Sequence, residues 1–398
     1  MKKLLLSSSV ITIIVMGLNF LFKIYLSYTI SKEEIGVFYT FMDLISIGIM
    51  AFSGYKDSLI RAFDKDGFEK VLYWYIYSFW ALFCFVLITE IVYYSILEFS
   101  YPLYFLVVLL FFNALMVFIS YLNASYKIYK IMLFENFVMA VGLIGCFFFF
   151  NLFFNGIYSL FFAFLSSYLL RVFYIFFFSS LSWNTIKSSL FEVKDFFVNT
   201  LYSGAMYFFS GLFISMSGMV LLKFFNDITV LAEYQVVVRS IFFSLVAVFV
   251  YPLNSFTFPQ ISKLISDKQY SEIHRIDRKL IKYLILFLVL LLFGTFFTKY
   301  VIGMVFPKEY MQSYKMLNIM LPFLPFIAYT TFAINIIKAF DRFDFALYVR
   351  ILGSLLFFVF IYLFYLLNFD AKSIVYSLDI SFFGMFLLAY YFKKRLLK

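Results

Sequence analysis

Long apolar runs alternate with short polar segments along the whole chain. A helix needs about 20 apolar residues to cross the hydrocarbon core of a bilayer, and runs of that length recur here. The pattern predicts spans at about 5–30, 36–60, 71–95, 102–122, 131–153, 157–179, 198–224, 229–256, 280–298, 311–337, 345–367 and 374–392. The fold class expected is an all-α polytopic membrane protein with about twelve transmembrane helices.

Composition and charge agree with this interpretation. The chain of 398 residues is 65% hydrophobic and 14% charged, which is unlike a soluble domain. Its net charge of +10 is concentrated in alternate polar segments, whereas the other segments carry few basic residues, namely Lys32, Lys299, Lys308 and Lys372. By the positive-inside rule both termini are expected in the cytoplasm, and the basic excess then reports topology and not a nucleic-acid partner.

A weak internal repeat predicts two related halves. The constant offset that aligns Gly36 with Ala232 also aligns Phe38 with Tyr234 and Asp43 with Arg239. Such repeats are typical of transporters that are built from two bundles. We therefore expect two pseudo-symmetric six-helix bundles, 1–180 and 198–398, joined by a cytoplasmic interfacial linker at 181–197.

Polar side chains follow one face of each of the first two spans. Asn19 and Lys23 lie one helical turn apart in the first span, and Asp43, Ser53 and Asp57 recur along the second. Small polar residues also occur at dry helix contacts, where they let the backbones approach. The added charges favour a polar cavity for these two faces.

Three charges lie deep inside apolar runs: Lys23, Asp43 and Arg239. A charge at membrane depth costs about 2.5–3.5 kcal/mol on insertion scales, so it persists when it is paired or lines a cavity. Lys23 and Asp43 are equally far along the chain from Glu33 in the external turn, and Arg239 lies at a matching depth. Two alternatives stay open for such a cluster: an anion-binding site in which Asp43 tunes the cations, and an ion-pair lock that only holds the bundles together.

Four further charges lie nearer the cytoplasmic ends of their spans. Lys56 and Asp57 end the second span, and Arg171 and Arg350 lie in the cytoplasmic halves of theirs. Arg171 and Arg350 are candidates for a cytoplasmic entrance that receives an anionic headgroup. The alternative is that these long basic side chains reach the lipid headgroups, as Lys and Arg near span ends commonly do.

Metal and disulfide chemistry is not expected. Cys84 and Cys146 are isolated in spans, and His274 is the one histidine, so the residues for a Cys/His metal site or a disulfide framework are lacking. We expect no metal and no cofactor.

Three segments carry a resemblance to a known family: YTISKEEIGVFYTFMDLISIGIMAFSGYKDSLIRAF, DITVLAEYQVVVRSIFFSLVAVFVYPLNSFTFPQISKL and FPKEYMQSYKMLNIMLP. The first resembles the opening signature of Wzx-type polysaccharide and O-antigen flippases of the multidrug/oligosaccharidyl-lipid/polysaccharide exporter superfamily. There an acidic turn precedes a Gly-x-aromatic motif, and a Gly near the end of the span precedes a basic residue. The other two segments are similar to the corresponding elements of the second half.

The resemblance implies a V-shaped pair of six-helix lobes around a central cavity. Family members commonly line that cavity with basic residues on the first, second and eighth spans, and Lys23, Lys56 and Arg239 stand at compatible positions. Two of the three are Lys, which lacks the bidentate guanidinium fork that suits a diphosphate. Twelve spans, where lipid II flippases usually have two more, favour the O-antigen or capsule branch.

The function expected is therefore a flippase, not an enzyme, that moves a polyprenyl-diphosphate-linked oligosaccharide across the bacterial cytoplasmic (inner) membrane by alternating access. Asn19, Ser53 and the three basic residues are the expected substrate contacts. Asp43 and Asp57 are candidates for ion pairing or for coupling to H⁺ or Na⁺. Its expected partners are the lipid-linked oligosaccharide, membrane lipid and other membrane proteins of glycan assembly.

Two other functions stay open. A multidrug antiporter of the same superfamily takes organic cations, which suit an acidic cavity better than a basic one. A membrane enzyme of glycan assembly, a polymerase or ligase, typically acts from a large external loop, and the predicted external loops are short.

Overall fold

Helices form almost the whole chain, because an apolar segment in a bilayer must satisfy its backbone hydrogen bonds internally. The structure, a computed structural model, describes residues 2–63, 67–126, 129–179, 181 and 184–397, and these residues include no strand. In chain order the first helices are α1 (Lys2–Thr29), α2 (Lys32–Met50), α3 (Ser53–Phe63), α4 (Phe68–Leu97), α5 (Leu103–Ser125), α6 (Tyr129–Phe150) and α7 (Ile157–Phe178). The others are α8 (Lys194–Val220), α9 (Ile228–Ala232), α10 (Arg239–Ser266), α11 (Tyr270–Val305), α12 (Ser313–Met320), α13 (Leu324–Ala339), α14 (Phe343–Leu366) and α15 (Ser373–Leu396).

The predicted fold class is confirmed. Eleven helical segments in the described ranges are long and apolar enough to cross a membrane. The predicted span at 131–153 corresponds to α6, Tyr129–Phe150, which includes the apolar helical stretch Phe134–Phe150. The protein is thus an all-helical, multi-pass membrane protein.

The second predicted span is not one continuous helix. α2 ends at Met50 and α3 begins at Ser53, with a turn at Ala51 and Phe52 between them. There the amide of Ala51 donates to the carbonyl of Gly48, and the amide of Phe52 to that of Ile49. Each of these hydrogen bonds joins residues three positions apart, as in a 3₁₀-helix, whereas those of an α-helix join residues four apart. The polar face that the sequence predicts along this span therefore changes direction before Asp57.

The chain divides into two compact units. Unit 1 comprises Met1–Ile30 and Thr40–Gly211, and unit 2 comprises Ser31–Tyr39 and Leu212–Lys398. The first turns of α2 thus pack with unit 2. The predicted bundle boundaries at 180 and 198 stay a prediction, and Ser180, Ser182 and Trp183 at the linker lie outside the described residues.

Unit 1 is held by stacked aromatic rings and by one very close helix contact. The rings of Phe105 and Phe161 stack with centroids 4.1 Å apart, and so join α5 to α7. Gly54 of α3 lies against α8, where an added Cβ would be 2.9 Å from the Cα of Gly204 and would collide with the carbonyl of Thr200. Small residues at such contacts let two membrane helices approach closely.

Unit 2 has a buried apolar cluster at one end and a close backbone contact at another point. The cluster joins α10, α11, α13 and the C-terminal residues, with Ile261, Ile273, Phe332, Ile336 and Leu397 at its centre. Elsewhere Gly36 of α2 lies directly on α9, since an added Cβ would be 2.9 Å from the Cα and Cβ of Ala232. The two positions that the internal repeat aligns are therefore in contact.

Candidate functional site

The first predicted polar face is on α1. Lys23 is half-buried in unit 1, and Asn19, one turn earlier, is exposed. Both side chains lie in the segment Val10–Thr29, most of which is not buried within the protein. The neighbouring helices therefore cover this face of α1 only in part.

On α2 the carboxylate of Asp43 is buried, with the residue only 5% exposed. Two hydroxyls on the same span are bonded to the backbone of their own helix turn. Ser46 donates to the carbonyl of Met42 at 2.8 Å, and Ser53 donates to that of Met50 at 2.7 Å. The bond from Ser53 lies at the break between α2 and α3.

A polar cluster surrounds the start of α3 in unit 1. The guanidinium of Arg171 on α7 lies 2.8 Å from the carboxylate of Glu135 on α6, and both side chains are largely buried. The charge of Lys56 also acts on Glu135. Asp57 accepts a hydrogen bond of 3.2 Å from the hydroxyl of Tyr207. The sequence assigns separate roles to Lys56, Asp57 and Arg171, and in the structure their charges act on shared neighbours, namely Glu135 and Tyr121.

Two members of the cluster are residues that sequence reasoning did not select. Glu135 reads from sequence as an interfacial residue near a span end, yet it is buried and holds Arg171. Tyr121 on α5 interacts electrostatically with both Arg171 and Asp57. The available signal was a carboxylate and a guanidinium inside consecutive apolar spans, a combination that membrane proteins retain mainly as pairs.

Arg239 belongs to unit 2 and follows an irregular stretch of helix. Residues Glu233–Val238 form a π-helical segment, and α10 begins at Arg239 directly after it. Its guanidinium donates to the side-chain oxygen of Gln235 at 3.0 Å. π-Helical segments are rare and occur frequently at functional sites. Because Lys23 and Asp43 lie in unit 1, the predicted meeting of the three charges stays a prediction.

Arg350 is the other residue predicted at a cytoplasmic entrance. It is half-buried on α14 of unit 2, whereas Arg171, its predicted counterpart at an entrance, lies in unit 1. Their proposed common role also stays a prediction.

A second buried ion pair joins the start of α2 to the π-helical segment within unit 2. The ammonium of Lys32 lies 2.9 Å from the carboxylate of Glu233, with side chains 11% and 4% exposed. It also donates to the carbonyl of Glu309 at 2.8 Å and lies 5.2 Å from the ring centre of Tyr310. Lys32 is thus bound on several sides.

Across the ranges that the structure describes, no group of three or more His, Cys, Asp or Glu side chains could hold a metal ion. The chemistry that the described clusters offer is electrostatic: cations held at set positions within apolar helices.

Solved structures share this fold along nearly the whole chain. A lipid II flippase MurJ, in an inward closed conformation, matches with a TM-score of 0.75 and 14% identity over 97% of this chain and 87% of its own. An inward-facing multidrug resistance MATE family transporter of the MOP superfamily matches with a TM-score of 0.75 and 11% identity over 98% of both chains. The fold is that of MOP superfamily transporters.

A third structure of this fold is a MOP superfamily transporter from Pyrococcus furiosus whose binding pocket is described as having reverse polarity. It matches with a TM-score of 0.66 and 15% identity, over 100% of this chain and 96% of its own. No protein-family model matches the chain, and no curated protein matches it. At these identities the likeness establishes the fold alone.

Proposed function

We propose that this protein is a flippase that moves a polyprenyl-diphosphate-linked oligosaccharide, an O-antigen or capsule repeat unit, across the cytoplasmic membrane by alternating access. The observation that carries the proposal is the presence of half-buried Lys23 and Arg239 in a fold that a lipid II flippase shares. Cations at membrane depth are costly, so they persist where they serve an anion or a fixed partner.

The chemistry required is binding and release, without bond making. The diphosphate is attracted to the ammonium groups of Lys23 and Lys56 and to the guanidinium of Arg239, while the polyprenyl chain stays in lipid. Attraction between charges is stronger where little water is present. Asp43 and Asp57 offset part of the positive charge, which lets the substrate leave, and they are the proposed sites of coupling to H⁺ or Na⁺.

The polar cluster around α3 serves as the proposed entrance on the cytoplasmic side. Lys56 is exposed and Arg171 is held by Glu135, so one cation is accessible and the other has a fixed position. A headgroup that arrives there meets positive charge before it moves deeper toward Lys23. Arg350 is proposed to serve the same purpose in the other unit. Both termini are proposed to lie in the cytoplasm, with other glycan-assembly membrane proteins as partners.

A multidrug cation antiporter is the second candidate. The likeness to a MATE family transporter, with the same TM-score as the flippase, favours it. The polarity of the binding pocket distinguishes the two functions, since organic cations need acidic residues and a diphosphate needs basic ones. The basic residues of the first, second and eighth predicted spans support the flippase. A polymerase or ligase finds no specific support in the described loops.

Transport by the purified protein in proteoliposomes separates the candidates. We expect transfer of a fluorescent polyprenyl-diphosphate oligosaccharide between leaflets at a rate above protein-free vesicles, with and without H⁺ or Na⁺ gradients to identify coupling. Uptake of an organic cation such as ethidium, with no transfer of the lipid-linked sugar, would instead establish the antiporter.

A further inference from the structure

Helix α11 is longer than a membrane crossing requires. Its 36 residues extend about 54 Å at 1.5 Å per residue, whereas a bilayer core is about 30 Å thick. The apolar run that the sequence predicts as a span begins near residue 280. The first three turns, 270–282, therefore extend beyond the hydrocarbon core at the basic end of the helix.

One face of these turns is fixed to the rest of unit 2. Ile273 belongs to the buried cluster, and Ile276 and Leu280 pack against it. On the same face the carboxylate of Asp277 lies 2.6 Å from the ammonium of Lys393 and accepts a hydrogen bond of 3.0 Å from Tyr329. The ion pair and the apolar contacts therefore define the face of α11 that packs against the rest of unit 2.

The opposite face is a basic groove. A cavity of about 560 Å³ runs along it and is lined by Ser271, His274, Arg275, Arg278, Lys279 and Lys282. All six residues are exposed. One of them, Arg275, also lies 3.4 Å from the carboxylate of Glu272 one turn earlier, so the groove is not purely cationic.

The basic groove continues directly into a lipid-facing apolar stripe. Residues three, four and seven positions apart share a helix face, which places Leu286, Val289 and Phe293 in line with Arg275, Arg278 and Lys282. These three apolar side chains are each more than half exposed. Along this face of the helix, the positive charges are therefore followed directly by exposed apolar surface.

We propose that this face of α11 is a binding site for an anionic phospholipid such as phosphatidylglycerol. It consists of the basic groove at 271–282 and the apolar stripe that follows it. The phosphate lies among Arg275, Arg278 and Lys279, and the acyl chains lie along Leu286 and Phe293. Clusters of four or more basic residues beside a membrane helix attract anionic headgroups. The apolar continuation argues for a lipid over a soluble polyanion. This site is separate from the proposed substrate contacts, and the phospholipid stays bound to unit 2 and is not transported.

Lipid titration of the full-length protein in a neutral detergent tests this. Fluorescent phosphatidylglycerol is expected to bind about tenfold more tightly than fluorescent phosphatidylcholine at low salt, with most of the difference lost at 0.5 M NaCl because exposed charges are then screened. A variant without the charges of the basic groove is expected to bind the two lipids equally; it carries R275Q, R278Q, K279Q and K282Q. The matched control removes four exposed positive charges elsewhere and is expected to keep the preference; it carries K187Q, K194Q, K263Q and K268Q.

Three results would overturn the proposal. Equal binding of the two lipids by the parent protein would show that it has no site for an anionic phospholipid. An equal loss of preference in the control variant would show that only net charge matters. The parent protein could also bind polyprenyl diphosphate more tightly than phosphatidylglycerol. If the variant without the charges of the basic groove loses that binding, the groove is a substrate site instead. If the groove variant fails to fold, a variant with R278Q and K279Q alone is expected to lose part of the preference, and an unchanged preference would overturn the proposal.

Discussion

Lys32, the first residue of α2, lies 2.9 Å from Glu233, the first residue of the π-helical segment that precedes Arg239. Their side chains are buried, and the two residues lie 201 positions apart in the sequence. The pair fixes the entry of the second span against the irregular helix that positions a proposed substrate contact. It therefore connects local helix geometry to the proposed binding chemistry.

Removing one partner of this pair should leave a buried charge uncompensated. We expect K32M or E233Q to lower the free energy of unfolding by about 3 kcal/mol, measured as a lower melting temperature in detergent. K32M with E233Q together should recover part of the loss, because neither charge then remains. Equal melting temperatures for the parent and both single variants would show that the pair contributes nothing to stability.

Close approach of α3 to α8 should depend on Gly54. G54A places a Cβ against the carbonyl of Thr200, and the resulting strain should destabilise the protein by about 1–3 kcal/mol. The matched control is G145A, because a Cβ at Gly145 on α6 meets no atom within 4 Å. That control should be neutral or slightly stabilising in the same thermal measurement. Similar melting temperatures for the two variants would contradict the described contact.

The ion pair of Lys393 with Asp277 should stabilise the attachment of α15 to α11. K393M leaves the Asp277 carboxylate buried beside Tyr329, and we expect a loss of about 3 kcal/mol. Adding D277N should restore most of that stability. The readout is thermal unfolding, with K394M, an exposed neighbour, as the control. A K393M variant as stable as K394M would refute the assignment.

Arg171 and Glu135 allow a structural role to be separated from a transport role. R171Q should reduce both stability and flipping, because Glu135 is left buried without its partner. In R171Q with E135Q the melting temperature should recover, while transport of the lipid-linked sugar in proteoliposomes stays low. Recovery of both would mean that the pair only locks α6 to α7.

Local patterns predict much of this fold. Runs of apolar residues locate the spans, because a bilayer fixes their length. The two related bundles that the repeat predicts stay a prediction. The break after Met50 and the π-helical segment before Arg239 are not apparent from the apolar pattern, because neither changes the hydrophobicity of its span.

Side-chain pairing was harder to predict. The sequence shows Arg171 as a charge near a span end but does not identify Glu135 as its partner, because periodicity identifies a face and not the helix that covers it. Asp277 and Lys393 are likewise distant in sequence and meet only through the packing of α11 and α15. Pairs of this kind depend on tertiary contacts, which one sequence does not specify.

The central claim is that basic residues inside the spans bind the anionic headgroup of the transported lipid. The most direct test is leaflet-to-leaflet transfer of a fluorescent polyprenyl-diphosphate oligosaccharide by proteoliposomes that contain K23A with R239A. A variant with K187A and K263A, two exposed basic residues outside the proposed site, is the control. We predict at least about a tenfold loss of transfer in the first variant, because one charge-assisted contact contributes roughly 1.5–3 kcal/mol, and parental transfer in the control. Parental transfer by a folded K23A and R239A variant would contradict the account.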